Sequence, residues 1–212
     1  MTAAAWALLG VVGVLAVANW WAVAARHRVG EYVTKPATMV ALIGVALALD
    51  PVDGSARAWF VAALVASLAG DVFLMLPSDR FVEGLASFLV GHLLYVGGLV
   101  ALGVEPLGLV AGAAVVAVAL GTVGRRVVAG ARASRPRLAT PVTAYLVVIS
   151  VMVVAAFGTL VPLALVGATL FYASDAMIGV REFLGPFRHQ RVAIMSTYHL
   201  GQIGLVLALV TA

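Results

Sequence analysis

A polytopic all-α membrane bundle is the fold class this sequence predicts, and three observations predict it. Hydrophobic residues make up 64% of the 212 positions and charged residues only 10%, against about 25% charged in an ordinary soluble domain. Apolar runs recur at close to the ~20 residues that cross a hydrocarbon core. The basic residues fall between alternate runs, as the positive-inside rule requires. A membrane barrel would instead show alternating strands of about ten residues. The runs here are unbroken stretches of Ala, Val and Leu.

Eight spans follow in order, near 3–25, 36–50, 58–76, 84–103, 106–124, 138–156, 160–180 and 191–211. The first has no basic leader and stays apolar for more than twenty residues, so it reads as a span rather than a signal peptide. The second is short. The fourth and fifth are parted only by Val104-Glu105-Pro106, and the sixth and seventh by little more than Gly158. With both termini outside, the inner loops hold Arg26, Arg28, Lys35, Arg80, Arg125, Arg126, Arg132, Arg135, Arg137, Arg181, Arg188 and Arg191. That leaves only Arg57 of the 13 Lys plus Arg outside. A wrong helix count would scramble this alternation, so the partition supports eight spans with an N-out, C-out topology. The whole of 1–212 reads as one transmembrane domain.

Composition also excludes function classes. There is no cysteine, hence no disulfide, thiolate nucleophile or Cys-ligated metal. The net charge of +4 is accounted for by the inner loops, and no nucleic-acid partner is expected. The five arginines of 124–137 read as a topology signal touching anionic headgroups.

Few ionisable groups fall inside the spans, and a carboxylate there costs about 2.5–3.5 kcal/mol on insertion scales, which marks it as functional. Asp71 and Asp175 each stand about five residues before the inner end of a span. The rise of ~1.5 Å per residue puts both roughly 7–8 Å below the inner boundary. Lys35 stands at the inner mouth of the second span. On the fourth span, Gly84, Phe88, His92 and Tyr95 form one stripe. On the seventh, Tyr172 and Asp175 share a face, with Phe171 and Ser174 beside them. On the eighth, Tyr198, His199 and Gln202 fall within an arc of about 100°, at ~100° per residue. Polar groups gathered on one face of a membrane helix point to the bundle interior. The expectation is a polar cavity facing the cytoplasmic leaflet. Pro36, Asp71 and His92 precede Pro141, Asp175 and His199 by 105, 104 and 107 positions. This weak internal repeat would make two parallel four-helix halves.

At these positions the sequence resembles the lysoplasmalogenase family of membrane proteins, the YhhN type. The matching pieces are Lys35-Pro36 with Met39, Gly70-Asp71 with Leu74-Met75, and Phe81, Gly84, Phe88, Gly91-His92 and Tyr95. They continue through Pro141 and Tyr145, Gly167-Ala168, Phe171, Ser174-Asp175, Tyr198 and Gln202. Their order and spacing carry the likeness, while the first span and the arginine loop add nothing to it. The resemblance implies a hydrolase that cleaves the vinyl ether of a lysoplasmalogen to a fatty aldehyde and a glycerophospho-alcohol. It implies Asp71 and Asp175 as its carboxylates, a lysophospholipid and the bilayer as partners, and no cofactor.

The residues suit that chemistry on their own terms. Vinyl ether hydrolysis needs a proton delivered to carbon and an oxocarbenium ion captured by water. Two carboxyl groups can divide this work, as in glycoside hydrolysis. Lys35, His92, Tyr95, Tyr172, Ser174, Tyr198, His199 and Gln202 are the candidates for holding substrate, with Lys35 toward the lipid phosphate. There is no Gly-x-Ser-x-Gly elbow. A small transporter relaying protons through the same aspartates is the alternative. A zinc hydrolase built on His92, His199 and an aspartate lacks His-x-x-x-His spacing, so no metal site is expected. The composition suggests a high-GC bacterial host and its plasma membrane.

Overall fold

The computed structural model describes residues 1–78 and 80–211. Every regular element among them is helical. The long helices are α1 (Ala3–Ala24), α2 (Arg28–Ala48), α3 (Gly54–Met75), α4 (Phe81–Ala101), α5 (Pro106–Ala119), α6 (Arg125–Ser134), α7 (Ala139–Gly158), α8 (Pro162–Phe183) and α9 (Gln190–Ala208). A single π turn, Leu120–Gly124, carries α5 into α6 without a break. Local chemistry sets the starts. The hydroxyl of Thr2 accepts from the Ala5 N–H, and the carboxylate of Asp53 accepts from the Ala56 N–H. Pro106 and Pro162 open α5 and α8, where a missing N–H costs nothing.

Seven helical segments, counting Pro106–Ser134 as one, are long and apolar enough to cross a membrane. The eight-helix bundle is therefore a polytopic membrane protein. The helix α9, at 19 residues, is long enough to span but falls outside that set, because Arg191, His199 and Gln202 lower its hydropathy.

The structure differs from the sequence reading at two helices. α2 begins at Arg28, eight residues before the apolar run, with Pro36 inside it. His27 caps it by accepting from the Gly30 N–H. Hydropathy marks the part of a helix in hydrocarbon, and the polar turns from Arg28 to Lys35 lie beyond that part. The arginine segment is likewise not a loop. In α6, Val127 and Ala131 are one turn apart and buried, while Arg125, Arg126 and Arg132 are exposed. That is an amphipathic surface helix.

The helices pack chiefly as neighbours in pairs, α1 on α2, α3 on α4, α5 on α7 and α8 on α9. The contact of α4 with α7 joins the two halves, and α9 closes on α1 and α2. Glycine permits the closest approach. A Cβ at Gly201 would stand 2.8 Å from the Phe171 backbone nitrogen, and one at Gly204 would stand 2.9 Å from the Gly167 Cα. α8 and α9 thus touch backbone to backbone, the small-residue packing typical of membrane helices.

The short connections gather at two ends. At one, Thr2 donates to the Ala48 carbonyl at 2.6 Å, and the Val52 N–H donates to Leu209. The Glu105 N–H likewise donates to Gly158. At the other, Arg191 pairs with Glu31 and Arg135 with Glu182, and Phe81 meets Phe183 edge to face. This second end carries the basic residues that the sequence assigns to the inside.

Candidate functional site

Two carboxyl stations stand at the basic end, Asp71 buried and Asp175 partly so. On α3, Asp71 is 1% exposed. Its Oδ1 lies 3.0 Å from Lys35 Nζ, and its Oδ2 accepts from the Tyr198 hydroxyl at 2.8 Å. Tyr198 stands against Met39 Sδ at 3.4 Å. The helices α2, α3 and α9 thus meet at Asp71. On α8, Asp175 Oδ2 accepts from the Tyr145 hydroxyl of α7. His92 Nε2 of α4 lies 3.6 Å from the same oxygen. Among the described residues no Lys or Arg pairs with Asp175, and neither ring nitrogen of His92 has a hydrogen-bond partner.

An aromatic partition separates the stations. The Phe171 ring is fully buried, 4.8 Å from the His92 ring and 5.3 Å from the Tyr198 ring. Phe88 stands edge-on to both Phe171 and Tyr198.

The other expected residues divide by location. Tyr95 donates to Gln202 Oε1 across α4 and α9, and Ser174 donates to the Ile194 carbonyl across α8 and α9. His199 accepts at Nδ1 from the Trp20 indole N–H at 3.1 Å. These three contacts tie helices together deep in the bundle. His92 and His199 belong to different neighbourhoods, and among the described residues no three His, Asp or Glu side chains converge as a metal ligand set would.

Two cavities reach the site. The first is a narrow apolar cleft between α4, α6, α7 and α8. Leu85, Phe88, Val127, Ile149 and Phe183 form its walls, and Asp175, Tyr145 and Tyr172 are its polar wall groups. The second is a basin of roughly 1,220 Å³ at the basic end, walled by Arg26, Arg28, Glu31, Lys35, Arg181 and Arg191. Leu74 and Ile178 line both. Each lies three residues beyond an aspartate, Leu74 after Asp71 and Ile178 after Asp175, about 4.5 Å along the helix axis. A two-residue septum thus divides cleft from basin, one helical turn from both carboxyl groups.

Of the expected site residues, Asp175 and Tyr172 line the cleft and Lys35 lines the basin. Asp71, His92, Tyr95, Ser174, Tyr198, His199 and Gln202 line neither. Three features escaped sequence reasoning. Tyr145 stood only among the matching pieces of the resemblance, with no role, because spacing cannot show that α7 faces α8 at Asp175. The cleft wall from α6 was hidden by reading that segment as a loop. Arg28, Arg181 and Arg191 were counted as topology signals, although they converge on one basin.

Comparison with known proteins follows the same residues. The YhhN family model matches residues 30–209. Proteins named lysoplasmalogenase from Mycobacterium bovis and Mycobacterium tuberculosis are each 37% identical over 155 residues, 70% of this chain and 58% of theirs. The human protein named lysoplasmalogenase TMEM86B is 34% identical over 151 residues, 69% of this chain and 61% of its own. The chain thus spans about three-fifths of the length of the curated relatives it matches. No solved structure matches it.

Proposed function

The chain belongs to the YhhN family, and from that premise we propose that it is a membrane hydrolase cleaving the vinyl ether bond of a lysoplasmalogen. The relatives' shared name supplies the reaction class. The observation that carries the reading is the position of Asp175, a carboxyl group on the wall of an apolar cleft, one helical turn from a cationic basin. A single-chain lipid places its hydrocarbon in the cleft and its headgroup in the basin. The bond between chain and glycerol then lies at Asp175.

Asp175 gives its proton to the outer carbon of the C=C bond. The ether oxygen shares its lone pair with the adjacent carbon, which becomes an oxocarbenium ion. The Asp175 carboxylate now faces that cation, and the rings of Phe88, Tyr145 and Tyr172 add cation–π support. Water adds to the cationic carbon and returns a proton to Asp175. The hemiacetal collapses, the carbon–oxygen bond to glycerol breaks, and the oxygen leaves with the headgroup as an alcohol. The sequence reading divides acid and base work between two aspartates. The geometry favours an unequal division, in which Asp175 touches substrate and Asp71 is a positioning residue holding Lys35 and Tyr198 at the septum.

The site lies at the basic end, which the positive-inside rule places at the cytoplasmic leaflet of a bacterial plasma membrane. A reporter fused after Ala212 tests this. Activity restricted to extracytoplasmic reporters supports eight spans, and a reporter active only in the cytoplasm overturns the orientation.

The reaction itself is tested by mass spectrometry of products in heavy-oxygen water. A vinyl-ether lysolipid is expected to release aldehyde, with the label entering the aldehyde and absent from the glycerol oxygen. The ester analogue is expected to release little fatty acid, because anionic and aromatic walls oppose the oxyanion of ester cleavage. Label on the glycerol side, or equal turnover of the ester, rules the route out. Proton-coupled uptake into liposomes with no product would select the transporter reading.

A further inference from the structure

The basin at the basic end carries more positive charge than the bundle uses. Lys35 is consumed internally, since its ammonium lies 3.0 Å from Asp71 and the residue is only 5% exposed. It is therefore poorly placed to take the lipid phosphate. The arginines are different. Among the described residues, the Arg28 guanidinium donates to the Tyr32 hydroxyl, at 2.9 Å, and to no other side chain. Neither Arg26 nor Arg28 has a carboxylate partner among the described residues. Arg181 and Arg191 do have partners, Glu182 at 2.9 Å and Glu31 respectively. Both pairs stand partly in solvent, with the two arginine side chains 35% and 42% exposed. Partly solvated ion pairs are weak and exchange readily.

We propose that this basin is a phosphodiester-binding site, with Arg28, Arg181 and Arg191 as its ligands and Glu31 as a resident competitor for Arg191. The ligand is the headgroup of a single-chain phospholipid. That identity rests on the hydrolase reading, because the chain must enter the adjoining cleft past Leu74 and Ile178. Arginine presents a planar fork that takes phosphate oxygens two at a time. Glu31 holds one arm of that fork, through Arg191 Nη2, and swings aside when phosphate arrives. Binding is thus an exchange of one carboxylate for one phosphate on Arg191.

The exchange makes a prediction of opposite sign at two neighbouring residues. Removing an arginine weakens phosphate binding, and removing the Glu31 charge strengthens it. The full-length protein in detergent is titrated with an ester lysophosphatidylcholine, and bound lipid is counted by native mass spectrometry. The ester needs no cleavage to report binding, so the outcome is separate from the hydrolase test. A monoacylglycerol of the same chain serves as the uncharged control, and inorganic phosphate as the free-anion control.

Arg181→Gln with Arg191→Gln is expected to raise the lysolipid Kd at least tenfold while leaving monoacylglycerol unchanged. Glu31→Gln is expected to lower the lysolipid Kd severalfold. Inorganic phosphate is expected to bind at least tenfold more weakly than the lysolipid. If the double variant loses monoacylglycerol as well, Arg28→Gln alone decides, with the same selective loss expected. The site is refuted by equal loss of both lipids in that single variant, or by an unchanged lysolipid Kd in the double variant. Weaker binding in Glu31→Gln refutes the exchange. Inorganic phosphate binding as tightly as the lysolipid shows a free-anion site instead of a headgroup site.

Discussion

Asp71 and Asp175 sit 104 positions apart on matching helices of the two halves, yet their surroundings are opposite. Asp71 is closed in by an ammonium and a phenol and lines neither the cleft nor the basin. Asp175 has a phenol and an imidazole against one oxygen, no Lys or Arg partner among the described residues, and a cleft in front of it. Burying a charge in a low-dielectric bundle is costly unless it is paired. The paired carboxylate can be tolerated as part of the frame. The one without a cation is better held protonated, which is the form the proposed reaction needs at the cleft. On the proposed reading, two aspartates at like places in the helix order serve differently, Asp71 as a fixture and Asp175 as the reacting group.

The largest expected effect breaks this comparison if it fails. Asp175→Asn keeps size and a hydrogen-bond acceptor for Tyr145 but removes the transferable proton. General acid catalysis contributes about 10²–10⁴-fold. Turnover of the vinyl-ether lysolipid is expected to fall by that order, with an unfolding curve close to the parent's. Near-normal turnover would make Asp175 a second fixture.

Asp71→Asn is expected to act first on stability. It leaves the Lys35 ammonium buried without its counterion, and removing one partner of a buried pair costs about 3–5 kcal/mol. Replacing both, as Asp71→Leu with Lys35→Met, removes both charges together and is expected to recover most of that loss. Denaturation in detergent measures the stability, and product release measures activity in the same samples. If the double variant regains stability and turnover within about tenfold of the parent, Asp71 is a fixture. If stability returns and turnover stays absent, Asp71 takes part in the reaction, and the two stations are more alike than their surroundings suggest.

The fold was legible because hydropathy and charge partition are properties of single segments. Eight helical segments, seven of them long and apolar enough to cross a membrane, followed from counting along the chain. Helix ends were less so, since the polar turns of α2 and the arginine face of α6 are helical without being apolar. The site was legible as a set of residue types and illegible as a set of pairs. Nothing in spacing says that Tyr145 reaches Asp175 while Tyr198 reaches Asp71, because those contacts depend on which helix faces which. The same reason hid the basin. Its arginines come from α2, α8 and α9, and each alone is an ordinary positive-inside residue.

The smallest expected effect compares the two phenols. Tyr145 and Tyr198 each donate to one aspartate, so equal hydrogen bonds are removed by Tyr145→Phe and Tyr198→Phe. A hydrogen bond to a charged group is worth about 1.5–3 kcal/mol. At Asp175 that bond stabilises the carboxylate left after proton transfer, so its loss raises the barrier of the chemical step. About 1.4 kcal/mol corresponds to tenfold in rate, and Tyr145→Phe is expected to lower kcat roughly tenfold or more. At Asp71 the bond stabilises the resting fold, with Lys35 holding the other oxygen. Tyr198→Phe is expected to lower the unfolding midpoint and leave kcat within about twofold. Steady-state kinetics at saturating lysolipid, with unfolding followed in parallel, separates the two. Equal losses of kcat would mean that Asp71 also changes charge during the reaction. A loss of stability without any loss of kcat at Tyr145 would remove Asp175 from the chemistry altogether.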